Sequence, residues 1–292
     1  MNSIIPIPQK QQQLLNSDKI NFSLYSPRMI KWAVNGVELK CNQNSIEELY
    51  NKSKKCFRNI NDCIRNKQDA QHEYLSFLKS QGITTFEIEA RLTSPFITGL
   101  GSGHPTETGM ILDRNTGLPY IPASSIKGVC LLSYAINLAK AGKVDAEGNV
   151  DDKLLEDLFG TQDENAEIKK RGQLVFLDAF TTEIPTLTVD IMNPHFVSYY
   201  AGDNPTDKRK DELKKQPLET ELPVPIKFLT VQKGTKFIFR CYYLPLTGSE
   251  NKDVSSDVET LFHTAFETVG FGGKTSIGYG RFKELNFLTV FR

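Results

Sequence analysis

The hydrophobic period of this chain switches at Gly82, and the order of the switches that follow restricts the fold more tightly than composition does. Residues 84–92, TTFEIEARL, alternate Phe86, Ile88, Ala90 and Leu92 with other residues, the period of a half-buried strand. Residues 124–142, SSIKGVCLLSYAINLAKAG, are apolar at helical spacing, with Ser124 or Ser125 as the expected cap and Gly142 as the stop. GQLVFLDAFT (172–181) and TKFIFRCYYL (235–244) read as strands, VSSDVETLFHTAFETVG (254–270) as a helix, and YGRFKELNFLTV (279–290) as a last strand. The spacing therefore predicts an α+β fold with a β-α-β-β-α-β, ferredoxin-like (RRM-like) core. Long insertions fall after the first strand and between the second and third. Between the first helix and the second strand, DDKLLEDLFG (151–160) reads as a short helix; in the later insertion TLTVDIM (186–192) reads as a further strand and 201–217 as a polar loop with two Lys/Arg clusters. RNA-binding RRM domains share this core with many unrelated proteins, so the fold alone assigns no function.

Ahead of this unit, residues 1–43 mix a Gln run at 11–13 with the short apolar run Trp32, Ala33, Val34, and read as an extended or irregular arm. Residues 44–82 carry Ile46, Leu49, Tyr50, Phe57, Ile60, Cys63, Ile64, Tyr74, Leu75 and Leu78 at threes and fours: one long amphipathic helix, or two in series. Ser45 and Glu48 have the capping-box spacing, and Gly82 is the stop. Lys52, Lys54, Lys55, Arg58, Arg65 and Lys67 decorate the helix, as a solvated face or as a contact for RNA or a neighbouring subunit. The expected division is 1–80, an N-terminal arm and helical extension, and 83–292, the β-α-β-β-α-β domain.

Charge and cysteine content exclude some functions. Lys+Arg and Asp+Glu are equal at 35 each, which argues against a free nucleic-acid binder but not against a subunit that meets nucleic acid inside an assembly. Five cysteines lack C-x-x-C spacing, so neither a zinc site nor a disulfide framework is indicated; Cys56 and Cys63, seven apart, read as core-facing. No apolar leader opens the chain and no stretch has membrane-spanning length, so a reducing cytoplasm is the expected setting.

Two glycine-rich segments carry what chemistry the sequence offers. In GFGGKTSIGYGRF (270–282) five glycines mix with Lys274, Thr275, Ser276, Tyr279 and Arg281. It is not a nucleotide-hydrolysing loop: the P-loop pattern needs Gly at Thr268, the dinucleotide fingerprint needs Gly at Thr275, and the segment runs from helix to strand. It is either a tight connection or a cradle for phosphates. In GLGSGHPTETGMILDRNTGLPYIPASSIKG (99–128), Ser124, Ser125 and Lys127 open a helix, as a plain cap or an anion site. His104 lies near Glu107 and Asp113, a pattern that permits acid–base work. His263 reads as a core or partly exposed histidine, and no histidines have metal-ligand spacing.

GLPYIPASSIKG before a helix, LFG before GQLVFLDA, and GGKTSIGYGRF near the C-terminus together resemble the RAMP superfamily of CRISPR-associated proteins. The longer stretch 99–128, with KTSIGYGRF, is similar to one subfamily, the sixth subunit of the type III-B (Cmr) effector complex. The resemblance covers about residues 83–292; residues 1–80 match no motif. It implies that the C-terminal glycine loop lies against the sheet and helps hold CRISPR RNA, with Lys274 and Arg281 supplying charge and Tyr279 a stacking surface. The implied RNA-binding set is Ser124, Ser125, Lys127, Gly272, Gly273, Lys274, Thr275, Ser276, Gly278, Tyr279, Gly280 and Arg281, with His104 and Arg114. Implied partners are CRISPR RNA, target RNA and the other Cmr subunits (first, backbone and small helical), with no membrane, cofactor or metal. The implied place is a cap near the 3′ end of the guide. Target cleavage belongs to the family's backbone subunits, through an Asp in the loop after the first strand; here that loop offers Glu107 and Asp113 without their local pattern. The alternative is an endoribonuclease using His104, Glu107 or Asp113.

Overall fold

A computed structural model describes the chain except residues 1–2, 6, 36–37, 42–43, 107, 145–151, 163–164, 166, 194–224, 247–251 and 291–292. The polar loop expected at 201–217 lies outside the described residues, as does Glu107.

The N-terminal arm is more ordered than its sequence suggests. It holds a two-residue strand β1 (Ser3–Ile4), a 3-10 turn (Gln9–Asn16), helix α1 (Phe22–Arg28) and strands β2 (Trp32–Asn35) and β3 (Glu38–Cys41), the strands forming a small antiparallel sheet. The sequence under-reads this arm because its packing residues are few and far apart: Ile20, Phe22, Met29 and Ile30 are buried, with no regular period between them. Helices α2 (Ser45–Cys56) and α3 (Asn61–Ser80) follow in series, parted by a 3-10 turn at Phe57–Asn59. That break resets the helical phase, so Cys56 is buried while Cys63 is exposed, against the expectation that both face the core. Nor does the capping box form: Ser45 is already the first helical residue, and its hydroxyl accepts the Cys41 thiol at 3.1 Å. Lys52 leaves the solvated face as well. It is buried and donates to the Leu15 and Ser17 carbonyls at 2.6 and 2.8 Å.

Next come β4 (Thr84–Leu92), β5 (Tyr120–Ile121), α4 (Ala123–Lys140), α5 (Lys153–Phe159), β6 (Leu174–Phe176), β7 (Ala179–Thr181), β8 (Leu187–Met192), β9 (Ile226–Val231), β10 (Lys236–Tyr243), α6 (Ser255–Thr264) and β11 (Phe282–Val290). The main sheet is antiparallel in the order β11-β4-β10-β7-β5, with β6 also on β10. The four strands expected from the sequence are thus arranged fourth, first, third, second, the second being split into β6 and β7. Strands β8 and β9 form a separate antiparallel ribbon. The strand at 226–231 went unread because it follows a proline-bearing polar stretch (PLETELPVP) and has no helix or turn signal to announce it.

The two faces of the sheet differ as period-two sequences require. On one, Phe86, Ile88, Ala90 and Leu92 of β4 align with Phe237, Phe239 and Cys241 of β10, all buried, beneath α4 and α6. Phe239 is surrounded by Phe262, Phe266, Phe271 and Phe282, with ring centroids 4.9–6.0 Å away. Burying such a ring contributes roughly 2–3 kcal/mol. On the other face, Arg240 is buried beneath α3. It pairs with Glu87 at 2.7 Å and donates to Gln68 and Gln71 of α3 at 2.6 and 3.0 Å, the compensation a buried guanidinium requires. Residues of the arm, α2 and α3 belong to the same buried cluster as the sheet.

Candidate nucleic-acid interface

The C-terminal glycine segment enters from α6 through a π turn at Ala265–Val269 and leaves as β11. Phe271 sits in the aromatic core, fully buried, and so anchors the loop to the sheet. The loop is also stitched to the segment after β4. Gly273 N–H donates to the Ile97 carbonyl at 2.7 Å, Gly280 N–H to the Pro95 carbonyl at 2.8 Å, and Arg281 N–H to the Ser94 hydroxyl at 2.9 Å. Two glycines are demanded by this packing. A Cβ on Gly280 (φ 66°) would stand 1.8 Å from the Phe271 carbonyl oxygen, and one on Gly272 (φ 83°) 2.2 Å from the Ile97 carbonyl oxygen. The side chains are absent there because the chain approaches itself.

The polar side chains of the loop divide into outward and inward sets. Ser276 is exposed, and Lys274 and Thr275 are half-exposed. Lys274 adopts the left-handed conformation (φ 61°), unusual for a residue with a Cβ. Its ammonium lies 3.7 Å from the Met192 sulfur and 5.4 Å from the centre of the Phe228 ring, both on the β8–β9 ribbon; among the described residues no carboxylate pairs with it. Tyr279 donates its hydroxyl to Asp190 of the same ribbon at 2.5 Å, and burial with that bond pushes the phenol up to about 12. Its ring is thereby fixed at 6.4 Å from Phe228, half-buried. Arg281 differs from the free surface charge expected of it. One guanidinium nitrogen donates to the Thr275 carbonyl at 3.2 Å and the other terminal nitrogen is buried without a partner, so the side chain braces the loop from inside.

Ser124, Ser125 and Lys127 are exposed in the first turns of α4, and neither serine caps it. Pro122 occupies the cap position, and the first free amide, of Ala123, donates to the Asp178 carboxylate at 2.7 Å. A residue remote in sequence thus does the capping, which local spacing does not reveal. Ser124 and Lys127 line a cavity of about 380 Å³ with Arg171 and Tyr242. This cavity and the glycine loop belong to different parts of the sheet. Strand β5 leads into α4 at one edge and β11 leaves the loop at the other, four inter-strand steps or about 19 Å apart. The structure does not unite these two sets in one pocket.

Of the residues considered for acid–base work, His104 and Asp113 have structural partners. His104 Nδ1 lies 2.7 Å from the Thr106 hydroxyl and 3.2 Å from the Thr106 amide nitrogen, and Nε2 lies 3.1 Å from the Ser26 hydroxyl. Burial pulls the imidazole below its ordinary range, toward the neutral form. One Asp113 oxygen accepts from the Thr116 amide and hydroxyl at 2.9 and 2.6 Å, and the other meets Lys67 at 3.3 Å. Arg114 is exposed. His263 is exposed too, 3.5 Å from Glu267. Among the described residues no three His, Cys, Asp or Glu side chains are grouped as a metal site would need, and no helix is long and apolar enough to cross a membrane.

Sequence reasoning missed the ribbon residues Asp190, Met192 and Phe228, and also Arg171 and Tyr242. The one available signal was in TLTVDIM, where Asp190 falls on the face opposite Val189 and Ile191.

Comparison with known proteins agrees with the motifs. The sequence model of the RAMP superfamily matches residues 89–283. The Cmr6 subunit of the CRISPR Cmr system of Pyrococcus furiosus is 30% identical over 264 residues, an alignment covering 73% of this chain and 71% of the relative. The Cmr6 subunit of Saccharolobus solfataricus is 28% identical over 227 residues, covering 77% of this chain and 65% of the relative. Among solved structures, a chain of the type III-B Cmr-β complex bound to cognate target RNA superposes with a TM-score of 0.52 at 19% identity, covering 97% of this chain and 85% of that one, a likeness of fold.

Proposed function

The chain belongs to the RAMP superfamily, and from that premise we propose that it is a non-catalytic RNA-binding and assembly subunit of a type III-B CRISPR effector complex in the cytoplasm. It resembles the Cmr6 subunits named above. Its ferredoxin-like core presents the glycine loop to CRISPR RNA, and the subunit caps the complex near the 3′ end of the guide, beside the backbone, first and small helical subunits.

The observation that carries this reading is the state of the glycine loop. It is held rigidly by Phe271 and by bonds to residues 94–97, yet it leaves Ser276 exposed and Lys274 half-exposed with no carboxylate partner among the described residues. A pre-ordered loop with exposed backbone, hydroxyl and ammonium loses little entropy on holding a phosphate chain. Ser124 and Lys127, which line one cavity with Arg171, and the exposed Ser125 beside them supply a second contact region on the same subunit. The non-catalytic reading is supported by His104 and Asp113, whose polar atoms are engaged in holding the 104–118 loop.

The test is purification of a tagged full chain from its host. Small RNA and other Cmr subunits should accompany it, and a chain recovered alone and free of RNA would overturn the reading. In the reconstituted complex, Asp113→Ala and Glu107→Ala should leave the set of target-cleavage products unchanged. Loss of one specific product with assembly intact would make the subunit an enzyme.

A further inference from the structure

Helix α1 of the arm and the 102–114 stretch of the loop after β4 form the walls of a groove of about 690 Å³. Arg28 stands on one wall and Arg114 on the other, both exposed. Neither guanidinium has an ion pair among the described residues, and no described Asp or Glu lines the groove. The nearest carboxylate in sequence, Asp113, is already neutralised by Lys67 and bonded to Thr116. Ser23, Ser26 and Ser102 add hydroxyls, while Leu24, Met110 and Leu112 add apolar surface.

The walls themselves are fixed. Asn21 donates from its side-chain amide to the Arg114 and Asn115 carbonyls at 3.0 and 2.9 Å, and Ser26 meets His104. One wall of the groove follows in sequence the segment that carries the glycine loop. That wall begins at Ser102, just after the residues on which the loop rests, Gly273 lying against Leu100 and Gly272 on the Ile97 carbonyl.

We infer that this groove binds the sugar–phosphate chain of single-stranded RNA, with Arg28 and Arg114 each contacting a phosphate. The arm thereby extends the RNA path beyond the glycine loop. Two unpaired guanidiniums with hydroxyls beside them suit phosphodiesters, and the apolar patches accept sugar and base faces. Among the described residues no Phe, Tyr or Trp lines the groove, and the His104 ring is engaged with Ser26 and Thr106, so contact is to the backbone and independent of sequence. The inference rests on the RNA-binding function proposed above.

The experiment measures binding of a fluorescein-labelled single-stranded uridine oligonucleotide to the reconstituted complex across a potassium chloride titration. It compares wild type, Arg28→Gln/Arg114→Gln, Arg28→Lys/Arg114→Lys and Lys274→Ala. Each lost phosphate contact lowers the log–log salt slope by about 0.7, so the Gln pair should lose about 1.4 while the Lys pair keeps most of the slope. If wild type binds and Lys274→Ala weakens binding while the Gln pair does not, the groove inference fails and the function stands. If wild type itself does not bind, both fail. If the Gln pair keeps its RNA affinity but no longer joins its neighbouring subunits, the groove holds an acidic protein segment and the inference is overturned. Should the Gln pair melt early, Arg28→Gln alone, at an exposed helix end, carries the measurement with an expected loss of about 0.7.

Discussion

Two segments of this chain share a composition and differ in what their glycines do. In 270–280, Gly272 and Gly280 have positive φ, and their missing side chains leave room for the chain's own carbonyls. In 99–109, Gly99 and Gly109 form a packed stem, whereas Gly101 and Gly103 at the tip have nothing within 4 Å of where a Cβ would sit. One segment is glycine-rich because it must fold tightly. The other presents bare backbone that folding does not use. Glycine content in a sequence therefore points to close approach without naming the approaching atoms.

The contrast breaks most visibly at Gly280. Gly280→Ala places a Cβ 1.8 Å from a backbone oxygen at a left-handed residue, with no flexible side chain to yield. The expected cost is about 3 kcal/mol or more, read as a fall in the denaturation midpoint and failure to join the complex. A variant that assembles and melts like wild type would remove the close approach. Arg281→Ala comes next. It deletes an internal brace to the Thr275 carbonyl, a charged hydrogen bond worth roughly 1.5–3 kcal/mol. Lys274→Ala deletes a half-exposed charge that rests on the ribbon, should cost less stability than Arg281→Ala, and should lower the RNA salt slope by about 0.7. If Arg281→Ala lowers the slope with no loss of stability, Arg281 faces RNA and its inward position is not the functional one.

How much of this was legible follows from where the constraining atoms lie in sequence. The core strands were readable because Phe86, Ile88, Ala90 and Leu92 carry their period locally, and Gly82 and Gly142 close their helices within one turn. Their C-terminal bonds, Ile83 to Leu78 and Lys143 to Leu138, are local too. The cap of α4 was not readable, since Asp178 lies 55 residues from the amide it accepts. Nor was the ribbon's hold on the glycine loop, which joins Asp190 to Tyr279 across 89 residues. The loop's polar residues could be named from sequence; their inward or outward direction is set by partners that no local pattern encodes.

The stem of the second segment gives a smaller, pH-dependent effect. His104 is half-buried, bonded to Ser26 of α1, and burial disfavours its charged form, lowering its proton affinity in the folded state. In the unfolded chain it takes a proton near its ordinary 6.5. Below that pH the unfolded state therefore binds more protons, and stability falls as pH drops, levelling off below the folded-state value. His104→Asn should flatten this part of the pH–stability curve, measured by denaturation between neutral and mildly acidic pH. A variant curve parallel to wild type would show that His104 does not titrate differently on folding.

The smallest effect on folding and the sharpest on the comparison belongs to the loop tip. Gly101 and Gly103 lack positive φ and have open space around the Cβ position, so alanine fits the native backbone at both. Such a replacement narrows the unfolded ensemble and stabilises by about 0.4–1 kcal/mol per site where the conformation is compatible. The double variant Gly101→Ala/Gly103→Ala should thus melt at or slightly above the wild-type temperature. RNA binding should move the other way, because a methyl group on each residue keeps a phosphate chain from resting on the bare backbone beside Ser102. Weaker binding with undiminished stability is the outcome opposite in kind to Gly280→Ala. A melting temperature that falls as far as that of Gly280→Ala would mean that the tip is packed in the assembled state. Unchanged affinity with unchanged melting would take the tip off the RNA path.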